Sequence, residues 1–297
     1  MYAAGIHIVV FVALGWFLLS AVLIGLGAFF LCRESLPVSG NWVVGMGQLS
    51  VCLVIVIALL MGQNEIAVGV IWGTVAINTG VIGLVYLFKN MGLVRDNWVQ
   101  VAWTLVGLCA MLVATHYGDV GCFAGCGLVL LGLVAFVTRK KRQASSIDKK
   151  EKLERRTWLK LLFGFLIFIV GVVVLMWQSN AVIAFCGMPD GRWAMIVLAP
   201  LLFVGVIGKR KATANCHCQW TQSLLWTNVL LVTIGCGVMA ILGRLQFSQV
   251  IKVVVMPWVA LMLLILGVIL WMPKKTTRWW GGLLVLMYVG LLTSLIW

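Results

Sequence analysis

Apolar residues run along this chain in long blocks separated by short polar loops. Ten blocks have the length of a membrane span: 6–30, 41–61, 66–88, 98–115, 121–138, 158–176, 181–207, 219–242, 250–272 and 279–297. A helix needs about 20 apolar residues to cross the hydrocarbon of a bilayer. Lipid offers the backbone no water, and the two-residue alternation of a β-barrel is absent, so the blocks are predicted to be helices. The seventh block is interrupted by Gly187, Pro189, Asp190, Gly191 and Arg192, and its membrane part is expected to begin near Trp193.

Composition fits this pattern. Of 297 residues, 63% are hydrophobic and 10% charged, with a mean hydropathy of +1.12. A soluble domain has roughly 45–50% apolar and about 25% charged residues. One soluble core could not hide this much apolar surface, which excludes a soluble enzyme, a disordered chain and a collagen-like chain. The solvent for most of the chain is lipid, and the bilayer is its first partner.

The formal net charge is +14. The basic residues sit in short loops, where they point to the anionic cytoplasmic leaflet and not to nucleic acid. The one long polar stretch, Arg139 to Arg156, is therefore expected in the cytoplasm. Ten spans then put both termini outside. On that layout nineteen of the 22 Lys and Arg residues fall in inside loops, and Arg192, Arg244 and Lys252 fall outside. The absence of Lys or Arg before Arg33 argues against a cleaved secretory signal. A cytoplasmic (inner) membrane is the expected location.

The basic stretch divides the chain into a first five-helix repeat, 1–138, a linker, 139–157, and a second five-helix repeat, 158–297. Gly40-Asn41-Trp42 resembles Gly191-Arg192-Trp193, and Asn78 in AINTGVIGL resembles Asn228 in WTNVLLVTIG. GDVGCFAGCGLVLLGLVAF, near the end of the first half, resembles TTRWWGGLLVLMYVGLL near the end of the second. An odd number of spans per copy makes the copies face opposite ways, a layout that places sites near the bilayer midplane. The expected fold is all-α integral membrane, with ten transmembrane helices as two inverted five-helix repeats.

The run from Gln63 to Asn78, QNEIAVGVIWGTVAIN, resembles a stretch of the cation/calcium antiporter superfamily, sodium/calcium exchanger type. The family pattern there is G-x-x-D-x-A-x-G-N-x-x-G-S-N-x-x-N. Gly73, Thr74 and Asn78 fall on its G-S and final N positions, and Val70 and Val75 replace two asparagines. Ser223 and Asn228 fall on the corresponding G and final N positions of the second half. Asp119-Val120-Gly121 and Arg278-Trp279-Trp280-Gly281 resemble parts of the D-G-x-x-x-R-x-E-G stretch that opens the last helix of each half. The run from Phe163 to Phe185 resembles the helix that opens a half. The resemblance implies cation antiport by alternating access, coupled to sodium or protons.

The family's ion-coordinating stretch, G-[TS]-S-x-P-E-[LT], is changed in this chain. Its first copy falls on Met46–Cys52, where Ser50-Val51 replaces Pro-Glu. Its second falls near Ile196–Leu201, with Pro200 kept and Leu201 in place of the Glu. The eight acids are Glu34, Glu65, Asp96, Asp119, Asp148, Glu151, Glu154 and Asp190, none of them in the middle of a span. Calcium takes six to eight oxygens, usually with carboxylates among them. A divalent ion without a carboxylate is poorly compensated in a low dielectric.

What remains in the spans is neutral. The candidate ion- or substrate-binding residues are Gln48, Ser50, Thr74, Asn78, Ser223 and Asn228, for a monovalent or divalent cation. For Ser and Thr, with Thr227 among them, glue between helices is the preferred reading. Asn78 and Asn228 are stronger candidates, because an unpaired amide is expensive in lipid. Gly69, Gly73 and Gly80 permit close helix approach or a broken helix, and close packing is the reading preferred.

No catalytic residue set, metal site or cofactor motif is expected. Cys216-His217-Cys218 lacks a second ligand pair for zinc, and phosphate-loop, Ser-His-Asp and HExxH patterns are missing. Cys122 and Cys126 are expected to share a helix side without bonding. Trp42, Trp98, Trp193, Trp279, Trp280 and Trp297 are placed at span ends as an aromatic belt. The loss of the Pro-Glu pairs opens a second reading, a transport-inactive paralogue serving as membrane scaffold or subunit beside a membrane-protein partner.

Overall fold

A computed structural model of the chain describes residues 12, 15–27, 41–89, 97–116, 120–143, 155–202, 214–243, 245–271 and 277–297. The described residues form helices and short connections, with no strand among them. The helices are α1 (Gly15–Gly27), α2 (Asn41–Leu60), α3 (Asn64–Lys89), α4 (Trp98–His116), α5 (Cys122–Gln143) and α6 (Arg155–Cys186). They continue as α7 (190–202), α8 (214–241), α9 (249–271) and α10 (Thr277–Ile296). Three of these contain a π turn: Ala194–Leu198 in α7, Leu231–Gly235 in α8 and Ile251–Val255 in α9.

Among the described residues six segments are long and apolar enough to cross a bilayer: Asn64–Phe88, Trp98–His116, Leu162–Ala184, Thr221–Ile241, Ile251–Trp271 and Arg278–Ile296. Gly15–Gly27, Val51–Leu60 and Cys122–Thr138 are shorter apolar helices among the described residues. Their internal hydrogen bonding is what lets them sit in lipid. Between α2 and α3 the chain turns on Gly62 at φ 76°. There the Gln63 amide donates to the Ala58 carbonyl and the Gly62 amide to the Leu59 carbonyl. This is the paired C-terminal bonding that a left-handed glycine permits.

Two span limits need correction. The sixth block, expected to end at 176, continues as helix to Cys186. Its polar residues Ser179 and Asn180 do not stop it. Ser179 Oγ donates to the Met176 carbonyl at 2.6 Å, and Asn180 accepts a bond from Gln63. Residues 181–186 therefore belong to α6, and the next helix starts at Asp190, after Pro189 in extended conformation. Trp193, expected in the aromatic belt, is buried and meets Phe17 edge-on at 5.9 Å. Trp98, Trp279 and Trp297 are exposed as expected, and Trp42 lies outside the described side chains. Both ends of the linker 139–157 are helical, because α5 runs to Gln143 and α6 starts at Arg155.

The chain forms two compact units. One comprises Met1–Val70 and Glu151–Lys211, the other Ile71–Lys150 and Ala212–Trp297. Each draws on both halves of the sequence, and the boundary falls inside α3.

In the first unit α1 packs on α6, α2 on α6 and α6 on α7. Gly27 faces the Gly164 carbonyl and Phe168, and Gly171 faces Ile24. Gly69 lies against the carbonyl of Gly191, so its role is close packing.

In the second unit α3 crosses α10, α5 crosses α8, and α4 lies against α8 and α9. A methyl group added at Gly83 would stand 2.9 Å from the Gly281 carbonyl oxygen, and one at Gly281 would stand 2.7 Å from that of Gly83. The α5–α8 crossing repeats this, with 2.7 Å from Gly125 to the Gly237 oxygen and 2.9 Å in return. Small residues at such crossings let backbones approach where lipid supplies no hydrophobic drive between helices.

Candidate functional site

Residues 66–80 of α3 are buried throughout, and so are 223–229 of α8. These stretches are apolar apart from a few amides and hydroxyls. Thr74 and Asn78 lie one helical turn apart on α3, with Thr79 beside them. Ser223 and Thr227 lie one turn apart on α8, with Asn228 beside them. All six are buried, Asn78 to 2% exposure and Asn228 to 0%.

The hydroxyls and the amides are satisfied differently. A Thr side chain can bond the carbonyl four residues back in its own helix. Thr79 Oγ1 does so with the Val75 carbonyl at 2.8 Å, and Thr227 Oγ1 with that of Ser223 at 3.0 Å. An Asn carboxamide has two donors and an acceptor to satisfy. Asn78 Nδ2 donates to Asn228 Oδ1 at 2.8 Å, and Asn228 Nδ2 reaches Thr79 Oγ1 at 3.5 Å. Two asparagines 150 positions apart in sequence thus form one buried polar pair.

One group stays apart from this network. Thr74 Oγ1 is buried and has no hydrogen-bond partner, one turn before Asn78. The indole nitrogen of Trp72 is in the same condition. An unpaired buried hydroxyl carries a desolvation penalty of about 1–3 kcal/mol. It is also a ready oxygen ligand.

Neither 66–80 nor 223–229 contains a charged residue. The acids among the described residues are Glu65, exposed in the first turn of α3, and Asp190, half-buried at the start of α7. No group of three or more His, Cys, Asp or Glu residues that could hold a metal occurs among the described residues. The centre is a neutral cluster of carboxamide and hydroxyl oxygens. Such oxygens can replace part of the water around a cation of low charge, but they bring no countercharge.

Of the sequence candidates, Thr74, Asn78, Ser223 and Asn228 are buried in the second unit, and Asn78 and Asn228 are in direct contact. Gln48 and Ser50 lie on α2, and their side chains fall outside the described residues. The stretch from Ile196 to Leu201 enters the π turn of α7, a form often found at functional sites.

Thr79 was not among the expected ligands, although its place next to Asn78 marks it. A second polar contact also escaped the sequence reading. Gln63 Nε2 donates to Asn180 Oδ1 at 2.9 Å in the first unit, while Gln63 Oε1, Asn64 Oδ1 and Arg192 Nε are buried without partners. Cys122 and Cys126 are free, exposed thiols, and the side chains of Cys216, His217 and Cys218 fall outside the described residues.

No family model matches the chain, and no curated protein matches it in sequence. Solved structures do match in shape. The sodium-calcium exchanger NCX_Mj soaked with 2.5 mM Na+ and 10 mM Sr2+ is similar at a TM-score of 0.68 and 18% identity, over 96% of this chain and 99% of that one. The native structure of YfkE is similar at 0.70 and 13%, over 99% and 98%. NCX_Mj soaked with 100 mM Na+ and 10 mM Sr2+ gives 0.64 and 16%. The chain has a cation/calcium antiporter-type fold and is an integral multi-pass membrane protein.

Proposed function

We propose that this chain moves a cation across a cytoplasmic membrane by alternating access. In this reading ten spans form two inverted five-helix halves, 1–138 and 158–297, with the basic linker 139–157 in the cytoplasm and both termini outside. The observation that carries the reading is the buried bond between Asn78 and Asn228. Polar groups are rare and costly inside a membrane, and those that persist there mark substrate paths. The repeat is further supported by the glycine crossings. Gly83 against Gly281 and Gly125 against Gly237 are the contacts that an inverted repeat would produce twice.

The side chains define the binding chemistry. Asn78 turns its carboxamide so that Oδ1 faces the ion, and this releases Asn228 Oδ1 from its bond. Thr74 Oγ1 supplies a third oxygen at no cost in broken hydrogen bonds, because it has none to break. Thr79 Oγ1 stands next to the pair. Four neutral oxygens of this kind, completed by water or backbone carbonyls, suit a monovalent cation. Calcium would go without the carboxylates it usually takes.

The test is flux into proteoliposomes of the purified chain, with Na+, K+ and Ca2+ offered in turn. Gradient-driven uptake of a monovalent cation is expected, falling at least tenfold in Asn78→Leu and Asn228→Leu. If none of the three cations moves, the transport reading fails and a role as membrane scaffold or subunit takes its place.

A further inference from the structure

We infer that the site crosses the membrane without cargo as readily as with it, so that the chain carries a net, voltage-driven flux of a monovalent cation and is not bound to exchange. The inference rests on the reading of the chain as a cation transporter and concerns the coupling that its site permits.

A carrier is held to strict exchange when its unloaded site cannot pass through the dehydrated stage between the two faces. Two things hold it back: unpaired charge and unsatisfied polar groups, both costly in a low dielectric. The sequence removes the first. None of the eight acids lies within 41–60, 66–88, 194–202 or 221–241, and neither does any Lys, Arg or His. The helices that carry every candidate ligand therefore contribute no formal charge within these stretches.

The side-chain geometry removes most of the second. Asn78 and Asn228 bond each other, Asn228 reaches Thr79, and Thr79 and Thr227 bond carbonyls of their own helices. These groups need no ion to be satisfied. The exceptions on this stretch of α3 are the Trp72 indole nitrogen and Thr74 Oγ1, the latter a single neutral hydroxyl. Their desolvation is far smaller than that of an ionised carboxylate. Reorientation without cargo thus meets no barrier of the kind that anionic sites impose.

The charge moved follows from the same count. A neutral site with a monovalent cation carries one positive charge across, and the return step carries none. The flux is then electrogenic, and a potential of 100 mV biases the cation's distribution by about 50-fold. Protons cannot serve as countercargo at this site, since its side chains are amides and hydroxyls that do not titrate in the physiological range. A carboxylate introduced at the pair would reverse the logic. Without its ion it would either hold the site in place by its charge or take up a proton and make the cycle electroneutral.

The experiment uses the full chain in proteoliposomes filled with N-methylglucamine at equal pH on both sides, with radioactive Na+ as the probe. One arm supplies external thiocyanate, a lipid-permeant anion that makes the interior negative. A second supplies impermeant gluconate. A third places unlabelled Na+ inside and measures exchange. Net uptake with thiocyanate is expected within a few-fold of the exchange rate and at least tenfold above that with gluconate. In Asn228→Asp and, separately, Asn78→Asp the thiocyanate-to-gluconate ratio is expected to fall at least tenfold.

Exchange without net uptake would overturn the inference and leave the proposed function standing. Loss of both, with Na+ and also with Rb+ in its place as the K+ surrogate, would overturn the proposed function itself. An unchanged ratio in a folded aspartate variant would overturn the charge argument. If neither variant folds, the three arms on the native chain still decide.

Discussion

The α3–α10 and α5–α8 crossings use the same device and then diverge. In each, a glycine faces the carbonyl of a glycine on the other helix, Gly83 with Gly281 and Gly125 with Gly237. Further along each crossing the sizes are exchanged. Gly80 on α3 receives the ring of Tyr288 on α10, whereas Gly132 on α5 receives Thr233 and Ile234 of α8. The small partner lies on α3 in one crossing and, in the other, on α5 and not on α8. What recurs is the distance between backbones, and the volume is distributed differently around it. Two helix crossings can therefore bring their backbones equally close while the side chains around them differ.

The largest expected effects come from closing these gaps. An added methyl at Gly83, Gly281, Gly125 or Gly237 meets backbone or Cβ atoms that cannot swing aside. Overpacking of this kind costs about 1–3 kcal/mol. Each alanine variant is expected to lose that much in a reversible unfolding titration in detergent. The double variant G83A/G281A is expected to lose clearly less than the sum, because the first methyl already parts the helices. G83A/G237A joins two separate crossings and is expected to add within about 0.5 kcal/mol. A full loss at one crossing and none at the other would break the equivalence.

The amide pair comes next. Asn228→Leu leaves Asn78 without its acceptor in the buried core, and Asn78→Leu does the converse. Polar contacts between membrane helices are worth about 0.6–2 kcal/mol, and each single variant is expected to lose that much. Replacing both is expected to restore part of the loss, since no amide is then left unpaired. Equal losses in the two singles would mark the pair as a shared centre. A loss confined to Asn228→Leu would assign the stabilisation to its contact with Thr79.

These features were legible in the sequence to different degrees. Asn78 and Asn228 were legible because they share a local pattern and because an amide in a span demands a partner. The neutral centre was legible because eight acids can be located one by one. Gly69 and Gly80 were correctly read as close contacts, but the crossings at Gly83–Gly281 and Gly125–Gly237 were not singled out. Their spacing along each helix is ordinary, and only the path of the partner helix gives them meaning. The end of α6 was misread for a related reason. Gln178, Ser179 and Asn180 look like a loop, yet Ser179 bonds its own helix and Asn180 bonds a residue more than a hundred positions away. The π turns left no trace, since AMIVL, LVTIG and IKVVV read as ordinary apolar helix.

The smallest effect on stability separates two threonines of α3 most sharply. Thr227 and Thr233 of α8 bond carbonyls four residues back, at 3.0 Å and 2.6 Å, and Thr79 of α3 does the same. Thr74 does not, and its hydroxyl is buried without a partner. Replacing Thr79 by Val removes a bond and the group that Asn228 Nδ2 reaches, so a loss of about 0.5–1.5 kcal/mol is expected. Replacing Thr74 by Val removes only an unsatisfied group, so stability is expected to hold or rise by up to about 1 kcal/mol. Cation flux is expected to fall at least fivefold in the same variant. A residue kept for packing would lose stability and flux together. A residue kept as a ligand loses flux alone, and unfolding and flux measured on Thr74→Val and Thr79→Val distinguish the two cases.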